Sequence, residues 1–294
     1  MLPVKIIERF RVTKGEGFKL KDYDPSDTAD VDFDKEDGKE MLEAGVKRLA
    51  KLQERLYAEG RWAILMVLQG IDTAGKDGVI KHVLSGVNPQ GCSVHSFKQP
   101  SSLELAHDFL WRTTVALPMR GRIGIFNRSY YEETLVVRVH HDLLEKQNLP
   151  EKLVTPDIWQ QRFEDINNFE LHLARNGTVP LKFFLHISKE EQLKRLLARI
   201  DDPDKRWKFS PYDVVERKLW DRYADAYEDM IRHTATKHAP WYVVPCDKKW
   251  FARLVVAGAL AEHMDALDLQ FPKVDEEEMK AIEKAHAELL AEKK

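Results

Sequence analysis

The 294-residue chain is 43% hydrophobic and 32% charged, with a formal net charge of -3. This is an ordinary core-forming composition, long enough for one large α/β domain. The near-neutral charge gives no general pull toward nucleic acid or an anionic membrane, so a polyanion site has to be a local concentration of basic residues. The two cysteines, Cys92 and Cys246, make neither a disulfide framework nor a four-ligand zinc site. Lys5, Glu8 and Arg9 interrupt the opening apolar residues, and no run approaches the ~20 apolar residues that cross a bilayer. A cytosolic protein with no membrane or nucleic-acid partner is the expectation.

Residues 1–35 are polar and irregular and read as an arm lying on the domain. Apolar residues recur at helical spacing over 39–58: Met41, Leu42, Val46, Leu49, Leu52 and Leu56. Residues 62–68 form a continuous apolar run, the mark of a strand covered on both faces. A helix over 76–87, a turn at 88–91 and a short strand over 92–97 follow. Ser101 and Glu104 make a capping-box pattern that opens a helix. A third strand is expected over 122–126, a helix over 155–175 and a fourth strand over 181–187. Ser188 caps a helix running to about 200, and another helix covers 213–232. A fifth strand over 241–244, a core helix over 250–267 and a charged tail over 271–294 complete the pattern.

Strands alternating with helices predict a mostly parallel five-stranded sheet with helices on both faces. Ligands of such sheets bind beyond the carboxyl ends of the strands. The unit is expected to span 36–270 as one domain, with an inserted lid at about 200–218.

Immediately after the first core strand comes Gly70-Ile71-Asp72-Thr73-Ala74-Gly75-Lys76-Asp77-Gly78. Gly70, Gly75 and Lys76 match the G-x-x-x-x-G-K spacing of a phosphate loop. Glycines let the backbone turn tightly so that successive N–H groups meet phosphate oxygens, and the following helix adds its positive end. The expected phosphate contacts are Gly70, Thr73, Ala74, Gly75, Lys76, Asp77 and Gly78. The usual Ser or Thr after the lysine is replaced by Asp77, and Asp72 lies inside the loop. A carboxylate beside phosphates is repulsive unless a metal lies between them, so Asp72 is the first magnesium candidate and Asp77 the second.

The third strand runs into Asn127-Arg128-Ser129-Tyr130-Tyr131-Glu132-Glu133. Asn127 stands where phosphotransferases of this kind carry a metal-orienting Asp. Glu132 or Glu133 can restore the missing carboxylate, and Arg128 can meet phosphate oxygens. Residues 193–218 are rich in Lys and Arg and hold two prolines between helices, the pattern of a mobile lid. Lys81, Arg112, Arg120 and Arg122 are candidates for extending a basic track. His140 and His141 are adjacent and point apart, which disfavours a shared metal.

The two loops above, together with Lys205-Arg206-Trp207-Lys208-Phe209-Ser210, resemble the polyphosphate kinase 2 family over about residues 35–270. The resemblance implies a P-loop kinase-like three-layer α/β/α fold with a helical lid. It implies phosphoryl transfer between inorganic polyphosphate and nucleotides with Mg2+ or Mn2+. It makes Asp72 a metal-binding catalytic acid and Lys76 and Arg128 phosphate ligands. Lys205, Arg206 and Lys208 become a clamp on the phosphate chain. Asn127 with Glu132 resembles the class III subgroup that phosphorylates both AMP and ADP, yielding ADP and ATP. Catalysis is thus expected from Asp72, Lys76, Arg128 and Glu132, with Asn127 and Glu132 as further metal ligands. Homo-oligomers, dimers or tetramers, are common in the family and expected here. An ATP-dependent nucleoside or nucleoside-monophosphate kinase and a non-enzymatic phosphate-binding switch are the competing readings.

Overall fold

Successive residues of a strand face opposite sides of its sheet, and this alternation builds two cores here. The computed structural model describes residues 2–292; Met1 and the last two residues of the tail, 293 and 294, lie outside the described residues. Six strands form one sheet: β1 (Arg11–Val12), β2 (Ala63–Gln69), β3 (Cys92–Ser96), β4 (Ile123–Asn127), β5 (Thr178–His186) and β6 (Trp241–Pro245). Their order is β1-β6-β5-β2-β4-β3, and every neighbouring pair is parallel except β1 with β6. The central strand β2 is buried along its whole length. Its Ile64, Met66 and Leu68 enter one core, and Leu65 and Val67 the other.

The first core lies under α2 (Lys35–Glu59), α3 (Lys76–Val83) and α12 (Lys249–Ala266), with α1 (Val4–Glu8) packed on α12. Asp34 starts α2 with a capping box to Asp37, and Leu49, Leu52 and Leu56 form its buried stripe. The second core lies under α8 (Ile158–Arg175) and α11 (Trp220–Thr234). Short helices α4 (Ser102–Leu105), α5 (Trp111–Thr114), α6 (Val136–Val139) and α7 (Asp142–Glu145) edge the carboxyl end of the sheet. Ser101 and Glu104 make the expected capping box on α4. Helices α9 (Lys189–Asp201) and α10 (Pro211–Lys218) flank the basic lid segment. The last helix, α13 (Glu276–Ala291), has no buried residue. Among the described residues no helix is long and apolar enough to cross a membrane.

Two expectations change. The sheet has six strands rather than five, because the N-terminal arm contributes β1. Its Ile7, Phe10, Val12, Phe18 and Leu20 are buried, so the arm is part of the core rather than a polar strap. The single helix expected over 213–232 is two helices. Ser210 opens α10 with a capping box to Asp213 and Pro211 in its first turn, and the chain bends at Leu219 before α11.

Between β5 and α8 lies a wholly buried ion pair. Lys182 Nζ meets Glu170 Oε2 at 2.6 Å, and both side chains are fully buried. The amine also donates to Tyr131 Oη at 3.0 Å and to the Thr234 carbonyl at 2.7 Å. Glu170 Oε1 accepts from Tyr130 and Tyr131 at 2.8 and 2.7 Å. Every strong polar group in the cluster is therefore partnered, which is what such burial requires. Removing one partner strands a buried charge and costs about 3–5 kcal/mol, whereas replacing both with apolar groups costs less. Lys182→Met is expected to lose that amount in denaturant unfolding, and Lys182→Met with Glu170→Leu to recover part of it. A double variant as unstable as the sum of its singles would contradict this coupling.

Candidate functional site

The loop after β2 turns under tight steric limits. Gly70 lies so close to β5 that a Cβ on it would sit 2.9 Å from the Leu185 carbonyl oxygen. Gly75 has φ +111° and precedes α3, a conformation that L side chains rarely adopt. Thr73 takes a left-handed φ of +68° without being glycine. Lys76, the first residue of α3, is buried, and its Nζ donates to the Gly70 carbonyl at 2.6 Å. Burial, and after it the Arg128 charge, push Lys76 down to about 8, against the pull of Asp72, Glu132 and Asp77.

The second loop arrives beside it because β2 and β4 are parallel neighbours with Leu68 paired to Asn127. The Arg128 N–H donates to the Leu68 carbonyl at 3.0 Å, and Arg128 has φ +64°. Its guanidinium bridges two carboxylates: Nη2 to Asp72 Oδ1 at 2.8 Å and Nη1 to Glu132 Oε2 at 3.0 Å. Glu132, then Asp72, hold Arg128 more firmly charged than a free arginine. Glu132 Oε1 accepts from Gln69 Nε2 at 3.0 Å, and Asn127 Nδ2 donates to Asp77 Oδ1 at 2.9 Å. The two motifs thus form one constellation of Asp72, Lys76, Asp77, Asn127, Arg128 and Glu132. Glu133 takes a different part. It is buried, accepts from Arg162 Nε at 3.1 Å and from Gln147 Nε2, and is pushed up by its burial.

Oxygen donors suit a hard divalent cation, which takes one or two carboxylates and fills its shell with water and phosphate oxygens. Asp72, Asp77, Asn127 and Glu132 supply such oxygens. Thr73 Oγ1 and Gln69 Oε1, beside them in sequence, are buried oxygens with no hydrogen-bond partner among the described residues. Among those residues no three His, Cys, Asp or Glu side chains converge on one point. The donor set therefore fits a cation shared with substrate, not a closed protein cage.

Two cavities meet at Asp72 and Arg128. One, of about 810 Å³, runs from residues 72–79 past Lys98, Arg199, Lys205 and Lys208 to Lys249 and Arg253. It is a basic channel. The other, of about 600 Å³, is lined by Phe97, Phe109, Tyr212, Tyr223 and Tyr227 and, among its charged residues, by Arg112, Arg128 and Glu132. Phe97, Lys98, Asp72 and Arg128 line both. His140 Nε2 lies 3.0 Å from Glu216 of α10, which also accepts from Tyr223 at 2.5 Å. His141 turns instead to Trp159.

Gly75, Ala74, Gly78 and the other loop residues expected to bind phosphate line the two cavities, as do Lys205 and Lys208. Lys81 and Arg206 do not. Lys81 is exposed on α3, outside both cavities, and Arg206 Nε donates to the Ile200 carbonyl at 2.7 Å. Arg120 and Arg122 lie at the opposite, amino end of β4, where Arg120 bonds the Asn176 carbonyl. Arg112 reaches only the aromatic cavity. The basic lining of the channel also includes Lys249 and Arg253, one turn apart on α12. Their signal was their place just past the carboxyl end of β6, where the strand-end rule directs attention.

The family model described as Polyphosphate kinase 2 (PPK2) matches residues 32–272. An "ADP-polyphosphate phosphotransferase" of Rhodopseudomonas palustris is 50% identical over 284 residues, covering 96% of this chain and 98% of that protein. An "AMP/ADP-polyphosphate phosphotransferase" of Meiothermus ruber is 47% identical, covering 91% and 96%. The crystal structure of polyphosphate kinase 2 from Arthrobacter aurescens TC1 superposes with a TM-score of 0.84 at 43% identity, covering 91% of this chain and 92% of that one. With the two loops, the basic channel and the fold all in agreement with these likenesses, the chain belongs to the polyphosphate kinase 2 family.

Proposed function

We propose that this protein transfers a phosphoryl group from inorganic polyphosphate to AMP and ADP, giving ADP and ATP, and that the reaction is reversible. The observation that carries the reading is the meeting of a basic channel and an aromatic cavity at Asp72 and Arg128. A polyphosphate presents repeated charge and no base, which suits the channel. A nucleotide presents a base and a short phosphate tail, which suits a cavity lined by aromatic rings together with Arg112 and Arg128. The relatives' names, one for ADP and one for AMP and ADP, support both acceptors.

In this reading a terminal phosphate oxygen of the acceptor forms a bond to the last phosphorus of the chain. The P–O anhydride bond behind that phosphorus breaks, and the chain shortens by one unit. The nucleophile is already ionised, so no strong base is needed, and positioning and charge neutralisation carry the rate. Lys76 and Arg128 take the charge of the transferring group, and the loop N–H groups orient it. Asp72, with Asn127 or Glu132, would hold a divalent cation, Mg2+ with Mn2+ as the alternative. When bound, that cation withdraws charge from the phosphate oxygens. Tyr227, raised by burial and by Glu132, keeps its hydroxyl proton throughout the working range. The reading includes a transferase unit over 36–270 between the arm and the tail, a cytosolic location and a homo-oligomeric assembly.

Purified protein given magnesium, long-chain polyphosphate and AMP without ATP is expected to yield ADP and then ATP by chromatography. Product only when ATP replaces polyphosphate would make it an ATP-dependent kinase instead. Lys76 binds phosphate as a cation and loses its proton as pH rises through about 8 in the free protein. Because kcat/KM reports the free enzyme, kcat/KM for polyphosphate is expected to fall above about pH 8. The limb in kcat is expected at higher pH, since bound phosphate favours the charged amine. A pH profile of kcat/KM that stays flat to pH 10 would mean that Lys76 keeps its proton there, against the lowering by burial and Arg128.

A further inference from the structure

Three consecutive carbonyls of the phosphate loop are held by side chains of a single helix. Gln192 Nε2 donates to the Asp72 carbonyl at 3.2 Å. Arg195 Nη1 donates to the Thr73 and Ala74 carbonyls at 3.0 and 3.1 Å. Both residues sit on α9, on one face, three positions apart. The rest of the Arg195 guanidinium is equally engaged: Nε with Glu191 at 2.9 Å, and Nη2 with the Cys246 and Asp247 carbonyls at 2.5 and 3.2 Å. Arg195 thereby ties the loop to the end of β6. In a trans peptide the C=O and the next N–H point opposite ways, and no cis bond occurs among the described residues. Fixing the Asp72 and Ala74 carbonyls toward α9 therefore turns the Thr73 and Gly75 N–H groups away from it.

The grip has an upstream partner in the lid. Gln192 Oε1 accepts from Arg217 Nη1 at 2.7 Å, and the same nitrogen donates to the Lys189 carbonyl at 2.8 Å. Arg217 belongs to α10. A guanidinium only donates, so the Gln192 amide has one orientation: oxygen to Arg217, NH2 to the loop. Gln192 is 2% exposed, so water does not replace either bond at low cost. The line Arg217–Gln192–Asp72 runs unbroken from the lid helix to the metal-candidate residue's own backbone.

We propose that Gln192 and Arg195 are positioning residues that set the phosphate loop's N–H groups, and that Arg217 makes this setting depend on the place of lid helix α10. The proposal rests on the reading of residues 70–78 as a phosphate-binding loop. Gln192 and Arg217 line neither cavity, and the groups they set, the Thr73 and Gly75 N–H groups, belong to residues that line the basic channel alone. Loss of the Gln192–Asp72 bond therefore acts first on the donor side. A role confined to stability would weaken both sides alike through the fraction folded.

The test compares Gln192→Leu, Gln192→Glu, Arg217→Met and the double variant Gln192→Leu/Arg217→Met. Initial rates are taken with long-chain polyphosphate, ADP and magnesium, alongside thermal unfolding of each variant. Gln192→Glu keeps an acceptor for Arg217 and loses the donor to Asp72. Each single variant is expected to raise KM for polyphosphate and so lower kcat/KM for it about tenfold, the size of one hydrogen bond, with kcat/KM for ADP at saturating polyphosphate held within about twofold. In the Gln192→Leu background, Arg217→Met is expected to add nothing, because the line is already cut. Wild-type polyphosphate kinetics in Gln192→Glu, fully additive losses, or equal falls in both kcat/KM values would overturn the proposal. Lys76→Ala separates the two levels and is expected to lose about 10²–10³-fold. If Lys76→Ala keeps its activity, the loop reading falls and the proposal with it. If it is inactive while Gln192→Glu behaves as wild type, only the positioning role falls.

Discussion

Arg128 is the charge on which the site's geometry turns. It stands between Asp72, from the loop after β2, and Glu132, from the loop after β4, at 2.8 and 3.0 Å. Without it two carboxylates would face each other where a polyanion has to approach. With it, the pair becomes a frame of net charge -1 rather than -2, which still attracts a divalent cation and repels an approaching phosphate less. The arrangement depends on backbone register as much as on side chains. Leu68 pairs with Asn127 across β2 and β4, and the next N–H, that of Arg128, closes on the Leu68 carbonyl. Thr73 and Arg128 both hold left-handed backbone, at a cost of order 1–3 kcal/mol each, which the sheet and the flanking bonds offset.

The same frame needs a rigid base. Tyr130 and Tyr131 lie between Arg128 and Glu132 on one side and the buried Lys182–Glu170 pair on the other. Their hydroxyls are fixed, so the one-turn segment carrying Glu132 has little freedom to swing. A polar network of this kind stabilises the fold only weakly in net terms, and its consequence is a single geometry. For a reaction in which positioning and fixed charge supply the rate, a single geometry matters more than the last increment of stability.

Much of this was legible in the sequence because the signals are local. A fully apolar run followed by Gly70, Gly75 and Lys76 marks strand, loop and helix within about fifteen residues, and each has one physical reason. The alternation of strands and helices gave the parallel sheet by the same logic. Strand β1 was not legible, since two residues carry no period and it is held only by partners 230 positions away, Val12 pairing with Trp241 and Arg11 with Tyr242. The Lys182–Glu170 pair was invisible for a related reason: a lysine inside an apolar strand gives no hint of where its carboxylate waits. Three members of the basic track expected from the sequence lie away from both cavities, Lys81 exposed on α3 and Arg120 and Arg122 at the amino end of β4, because sequence proximity to a motif does not say where on the fold a side chain is placed. Arg120 sits at the amino end, bonded to the Asn176 carbonyl.

The lid segment shows why counting basic residues is not enough. Its arginines and lysines divide by chemistry. Arg195 uses its planar fork on five protein acceptors, Arg199 reaches the Lys208 carbonyl and Asp213, and Arg217 holds Lys189 and Gln192. These are fixed directional tasks, for which a rigid set of five donors is suited. Lys205 and Lys208 are exposed and face the channel. A compact ammonium on a flexible stem keeps its attraction while the geometry around it changes. The channel is thus lined both by arginines fixed on protein acceptors, Arg195 and Arg199, and by the exposed Lys205 and Lys208, so directional structure and adaptable charge are combined along one polyanion-accommodating surface.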